Sequence, residues 1–297
     1  MKGLTIPVLL ALAVLLVSLF APALCPYDPN EQDLTAALSA PSAAHPMGTD
    51  RYGRDMLSRV IIGARVSVFS SLALVLSVSA FGSVVGALCG YCGGAIDSLL
   101  MRFSDVCIAF PPLVFALFAA ALLGGGLFAA ATALAAVCWP KYARLARSLS
   151  ASLKERDFIL AAKLCGLSTP QVLTRHVLPN VIGPVAVTAA LDIGTTMAEL
   201  AGLSFLGLGA QPPAAEWGSM MSAGRSAFAK CPWLVLSPGI AVFTTVSIFN
   251  MLGDALRDRF DTLTDTASGK YREKRKGIFS RDLPASKKAP RSRCSSS

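Results

Sequence analysis

The sequence predicts an all-α, polytopic membrane protein, and three observations carry that prediction. Hydrophobic residues make up 54% of the 297 and charged residues 15%, against about 25% charged in soluble domains. Apolar runs of roughly 20 residues recur along the chain, the length a helix needs to cross the hydrocarbon core. Glycine pairs and triplets fall between the runs rather than within them, as turns between helices do. A helix also satisfies its own backbone in lipid, which an open sheet does not.

Six spans are expected: 4–24, 66–90, 100–123, 127–146, 181–208 and 234–256. The first follows Lys2 and ends near Ala21-Pro22-Ala23, which also has the look of a signal-peptide cleavage site. Its apolar run is longer than a usual signal core, so a retained span is the reading preferred. Gly93-Gly94 separates the second span from the third, and Gly124-Gly125-Gly126 the third from the fourth. The third carries Arg102 between Asp97 and Asp105, read as an ion pair at its mouth. Residues 1–65 form the first span with an outer segment, 66–262 the core, and 263–297 a basic tail expected to be disordered.

Between residues 141 and 180 the chain turns polar, with seven basic residues: Lys141, Arg144, Arg147, Lys154, Arg156, Lys163 and Arg175. By the excess of Lys and Arg, this loop, about 148–179, lies in the cytosol with both termini. That placement accounts for much of the net charge of +9, so no nucleic-acid partner is implied. Asp157, Leu160, Ala161, Ala162 and Gly166 read as a short helix with small residues and a terminal glycine, closed by Leu178-Pro179. Such a surface lets another protein approach the backbone.

Asp192 and Glu199 lie seven residues apart in the fifth span, on roughly one helix face. Ionisable groups at depth usually face a bundle interior or a wet cavity. They read either as lining a translocation path that favours cationic cargo or as a structural pair. Trp217 and Trp233 bracket an outer loop, where indoles anchor at interfaces. Cys25 and Cys231 fall on the same outer side and their pairing is left open. Cys89-Gly-Tyr-Cys92 reads as small apolar packing rather than a metal or redox motif. No phosphate loop G-x-x-x-x-G-K-[ST] is present, so ATP hydrolysis belongs elsewhere. No HExxH is present, and Ser204 does not sit in G-x-S-x-G.

Ala161-Ala162, three residues, Gly166 and then Leu178-Pro179 resemble the coupling loop of bacterial ABC importer permeases. Leu160 stands where the general motif has Glu, and His176 where it has Ile. Three more strings are similar to the dipeptide/oligopeptide/nickel branch, in its second permease. They are Gly48-Thr-Asp-Arg-Tyr-Gly-Arg-Asp-Met-Leu-Ser-Arg59, Gly202-Leu-Ser-Phe-Leu-Gly-Leu-Gly209 and Asn250-Met-Leu-Gly-Asp-Ala-Leu-Arg-Asp258. The resemblance runs from about Pro46 to Asp261. It implies a type I importer permease in a bacterial inner membrane, with no cofactor and no enzymatic activity of its own. Its implied partners are a homologous second permease, two cytosolic ATP-binding subunits, an extracytosolic substrate-binding protein and the lipid bilayer. It places Asp157, Leu160, Ala161, Ala162, Gly166, Leu178 and Pro179 at the ATPase, and Pro212, Glu216 and Trp217 toward the binding protein. The cargo implied is nickel or di-/oligopeptides. Leu191-Asp-Ile-Gly194 and Ala201-Gly-Leu-Ser204 tilt the expectation slightly toward nickel. A secondary transporter or a membrane scaffold is the alternative.

Overall fold

The first helix, α1 (Lys2–Leu19), continues after a one-residue break as α2 (Ala21–Leu24). This is a computed structural model, which describes residues 2–281, and side chains over 4–260. An outer segment then leads to α3 (Met56–Cys92). At about 1.5 Å per residue, these 37 residues reach well past a bilayer core. The helix starts ten residues before the expected span because Asp55 caps it, accepting from the Ser58 N–H at 2.8 Å. A cap is a local polar signal that hydropathy does not register.

Gly93, at φ 68°, separates α3 from α4 (Gly94–Ala109). The expected third span, 100–123, is not one straight rod. It is α4 followed by α5 (Pro112–Leu122), bent by 93°. Pro111 and Pro112 donate no backbone hydrogen bond, and Phe110 before them is extended at ψ 144°, as a residue preceding proline tends to be. Gly124, Gly125 and Gly126 all take positive φ and form the expected turn.

Next, α6 (Leu127–Lys154) carries Lys141, Arg144 and Arg147 on the helix itself. The chain therefore does not leave the helix at residue 141. These three side chains pair with acids on neighbouring helices, which keeps the segment packed. The polar loop begins later, with α7 (Asp157–Leu164) and α8 (Thr169–Val172), followed by a wide turn over Leu173–Val177. Then come α9 (Leu178–Phe205), α10 (Trp217–Gly224) and α11 (Trp233–Arg281).

Among the described residues, three helical stretches are long and apolar enough to cross a membrane: Met56–Cys92, Thr169–Phe205 and Trp233–Phe260. The bent α4–α5 pair makes a fourth if taken as one span. Leu4–Leu19 is a shorter apolar helix. The lower apolarity of α6 follows from its basic residues Lys141, Arg144, Arg147 and Lys154.

The central packing joins α3 to α6. Gly82, Gly86 and Gly90 repeat every four residues along α3 and lie against Trp139, Ala143 and Arg147 of α6. A methyl at Gly86 would run into the Ala143 backbone. Small residues at this spacing bring helices together closely in lipid, where packing rather than water exclusion drives association. Ser150 of α6 adds a hydrogen bond to the Ala87 carbonyl at 2.9 Å.

One core gathers Leu74, Leu134, Tyr142, Val181 and Leu203 from α3, α6 and α9. A second joins Met56, Val68, Met197, Trp217 and Phe249 near the outer segment. By internal contacts, Met1–Leu256 is one compact unit and Arg257–Ser297 another. Residues 263–281 of the expected basic tail are helical as the end of α11; Lys, Arg and Glu are good helix formers despite their charge. The rest of the expected tail, 282–297, lies outside the described residues.

Candidate functional site

The segment between α6 and α9 presents one small helix to its surroundings. Ile159 of α7 is fully buried and anchors it, and Val172 and Val177 below are buried as well. Lys163 places its ammonium 5.1 Å from the centre of the Tyr91 ring at the end of α3, and Lys154 lies at 5.9 Å from the same ring. Such contacts favour the cation over the ring face. The outward side is apolar: Phe158 is 44% exposed, Leu160 48% and Leu164 89%. Asp157, Ala161 and Gly166 are exposed beside them, and Ala162 is half-buried.

Gly166 ends this helix. Its φ is +84°. The Gly166 N–H donates to Lys163 O at 2.9 Å and the Leu167 N–H to Ala162 O at 3.2 Å. That pair of bonds is the glycine-terminated helix stop that needs the left-handed region. A methyl placed at Gly166 meets nothing within 4 Å, so the surface above it is open. Leu178 and Pro179 form the first turn of α9, directly after the wide turn over Leu173–Val177, with the Leu178 N–H bonded to Leu173 O.

The second feature is a cavity of about 460 Å³ between α3, α5, α6 and α9. Leu74, Val78, Ile108 and Val137 wall it, and Lys141, Asp192 and Glu199 enter it. Asp192 is engaged on both oxygens. Lys141 Nζ donates to Oδ1 at 2.6 Å and the Tyr142 hydroxyl to Oδ2 at 2.8 Å. Glu199 lies in the same cavity, half-buried, without an ion-pair partner among the described residues.

Basic residues of α6 also bind α4. Arg147 grips Asp97 with two bonds, of 2.6 and 2.7 Å. Arg144 pairs with Asp105. Arg102, expected between those acids, is exposed instead. The three acids therefore find their partners along α6, at intervals of three residues: Lys141, Arg144, Arg147.

Known proteins match this chain over most of its length. The profile of binding-protein-dependent transport system inner membrane components matches residues 82–265. A dipeptide transport system permease protein of Alkalihalophilus pseudofirmus is 42% identical over 247 residues, 83% of this chain and 81% of the relative. The nickel transport system permease protein of Escherichia coli K12 is 42% identical over 236 residues, 80% of this chain and 85% of the relative. A glutathione transport system permease protein of Pectobacterium atrosepticum is 38% identical over 254 residues, 85% of this chain and 84% of the relative. The chain belongs to the family of binding-protein-dependent transport permeases. It is a multi-pass inner-membrane permease subunit of an ABC importer, not itself an enzyme, and works within an ABC complex.

At its other end the permease packs residues 25–55 against the α9–α11 connection. Arg54 Nε donates to Asp50 Oδ2 at 2.7 Å, and Arg59 donates to Pro29 O at 2.9 Å. Both guanidinium groups are buried. Of the three residues expected to face a binding protein, only Pro212 is exposed. Glu216 is buried and caps α10, accepting from the Gly218 and Ser219 N–H groups at 2.9 and 2.8 Å. Trp217 is buried too, donating from Nε1 to Val60 O at 2.9 Å. These two side chains hold the loop from inside, because an acid at a helix start and an indole with a polar tip both find better partners in the fold. Cys25 and Cys231 are free thiols. Among the described residues no group of three His, Cys, Asp or Glu side chains is placed to hold a metal ion.

Sequence reading missed three residues that these two features rest on: Lys141, Tyr142 and Tyr91. Lys141 and Tyr142 sit where a span was expected to leave the membrane, a place where polar residues are unremarkable. Tyr91 had no signal beyond its position at a helix end.

Proposed function

We propose that this permease is one of two homologous transmembrane subunits of an ATP-driven importer of short peptides. The observation that carries the coupling part of this reading is α7. It holds an apolar side chain 89% exposed at Leu164, beside Phe158 and Leu160, on a helix tied to the protein body by Ile159 and Lys163. An apolar face on a polar loop calls for a protein partner, and a cytosolic ATPase is the partner that the family architecture supplies. With α7 in the cytosol, both termini lie there too, and the segment 25–55 faces an external binding protein.

Two considerations support peptide cargo over nickel. Several similar permeases carry peptide names. The strings that tilted the sequence toward nickel are largely engaged in packing. A methyl at Gly194 would strike Asn250, Ser204 is buried, and Asp192 is bound by Lys141 and Tyr142. The mechanism is alternating access. ATP binding closes the ATPase pair, α7 carries the movement to α6 and α9, and the cavity between them opens toward the binding protein. Nucleotide supplies the differential binding energy that such a shift requires.

Leu164→Glu tests the coupling. Leu164 is exposed and helical, so the fold tolerates Glu there. An apolar contact replaced by a desolvated, unpaired charge weakens docking by about 2–5 kcal/mol. The variant should insert at wild-type yield while losing co-purified ATPase and uptake together. Full ATPase recovery and full uptake would refute the docking role. Gly166→Asp is the poorer probe, because positive φ strains any side chain there.

A further inference from the structure

The cavity between α3, α5, α6 and α9 contains two acids that look alike in the sequence and differ in the structure. Asp192 has both oxygens occupied, by Lys141 at 2.6 Å and Tyr142 at 2.8 Å. Arg144, also at the cavity edge, is matched by Asp105. When these pairs are set against one another, one charge remains unbalanced: the Glu199 carboxylate. It is half-buried and stands among apolar walls formed by Leu74, Val78 and Val137. An ionised carboxylate in such surroundings is costly without a partner.

The geometry points to Glu199 as the group that receives the terminal ammonium of a peptide passing through the cavity. Asp192 is a positioning residue that holds α6 against α9. This assignment rests on the importer reading given under Proposed function. Three features fit it. The cavity volume of about 460 Å³ lies within the roughly 300–1,000 Å³ of small-ligand sites. The unbalanced charge is negative, so the complementary group is a cation. A lone carboxylate suits an ammonium, whose single charge it neutralises through a charge-assisted bond, whereas a divalent ion demands several ligands. The apolar walls suit the side chains of short peptides, and a single ionic contact leaves the cargo free to depart.

The test uses proteoliposomes holding the complete transporter, with this chain as wild type, Glu199→Gln, Glu199→Asp or Asp192→Asn. The readouts are initial uptake of a labelled tripeptide supplied through the binding protein, the yield of assembled complex, and ATP hydrolysis stimulated by the loaded binding protein. Glu199→Gln should lower uptake about tenfold, the loss of one charge-assisted hydrogen bond, with assembly and stimulated hydrolysis retained. Glu199→Asp, which keeps the charge, should restore most of the uptake. Wild-type uptake by Glu199→Gln overturns the assignment. So does loss of uptake that merely tracks lost assembly, or equal loss in Glu199→Asp and Glu199→Gln. Failure of the importer reading shows separately, in the wild-type complex, as no ATP-driven uptake of any solute. Wild-type transport of nickel complexes but not of peptides keeps the importer and overturns the ammonium site.

Discussion

Asp192 shows how far single residues could be read before their neighbours were known. The seven-residue interval to Glu199 placed both acids on one face of a helix, and both do enter one cavity. What separates them lies on α6, 50 residues away, where Lys141 and Tyr142 claim one acid and leave the other. Periodicity along one helix says nothing about which helix it meets. The two acids should therefore fail differently. Asp192→Asn removes the Lys141 ion pair and weakens the Tyr142 bond. Lys141 is 58% exposed and rehydrates readily, so the loss is discounted for screening to about 1–2 kcal/mol. The expected result is a lower melting temperature and lower yield of the detergent-solubilised complex, with uptake per assembled complex unchanged. Normal thermal stability in this variant would remove Asp192 from its positioning role.

At the level of helices, the sequence was most informative where glycine or proline interrupted a run. The turn at Gly124–Gly126 was legible because three consecutive residues without side chains have no other common use. The bend between α4 and α5 was legible in Pro111-Pro112, yet a continuous apolar run hid it, since hydropathy measures burial and not straightness. The start of α3 was hidden for the opposite reason: Asp55 and Arg59 look like loop residues until a cap and a buried pair are seen. The same helix carries the ladder of Gly82, Gly86 and Gly90, whose meaning appears only with α6 lying against it. Gly86→Val would force the Ala143 backbone away and disturb the close α3–α6 contact. Overpacking of this kind costs about 1–3 kcal/mol. The expected outcome is a clear fall in folded yield and in detergent melting temperature, while Gly202→Ala in α9, whose new methyl meets nothing within 4 Å and whose φ is not positive, should leave both nearly unchanged. Equal effects at the two positions would contradict the close-packing role.

For the whole molecule, the direction of insertion joins the chemistry of both ends. One end carries α7 with Lys154, Arg156, Lys163 and Arg175 around it, while the other buries Arg54 and Arg59 against Asp50 and Pro29. Arg51, Arg65 and Arg225 are exposed at that end too, so the asymmetry lies in the excess of Lys and Arg around α7 and not in burial. Lys and Arg retained near span ends fix orientation at insertion, and the acids opposite contribute little to that bias. The α7 end should accordingly face the cytosol. Two positions report this directly. Cys165 is exposed just past α7, and Tyr52, 42% exposed, lies in the outer segment and accepts a cysteine at little cost. In a background lacking the other cysteines, a membrane-impermeant maleimide should label Cys165 in inside-out vesicles only, and Tyr52→Cys in right-side-out vesicles only. Labelling in the reversed pattern would place α7 outside the cell, where no ATPase reaches it. It would sever the link between the apolar face of α7 and nucleotide-driven opening of the cavity that holds Glu199.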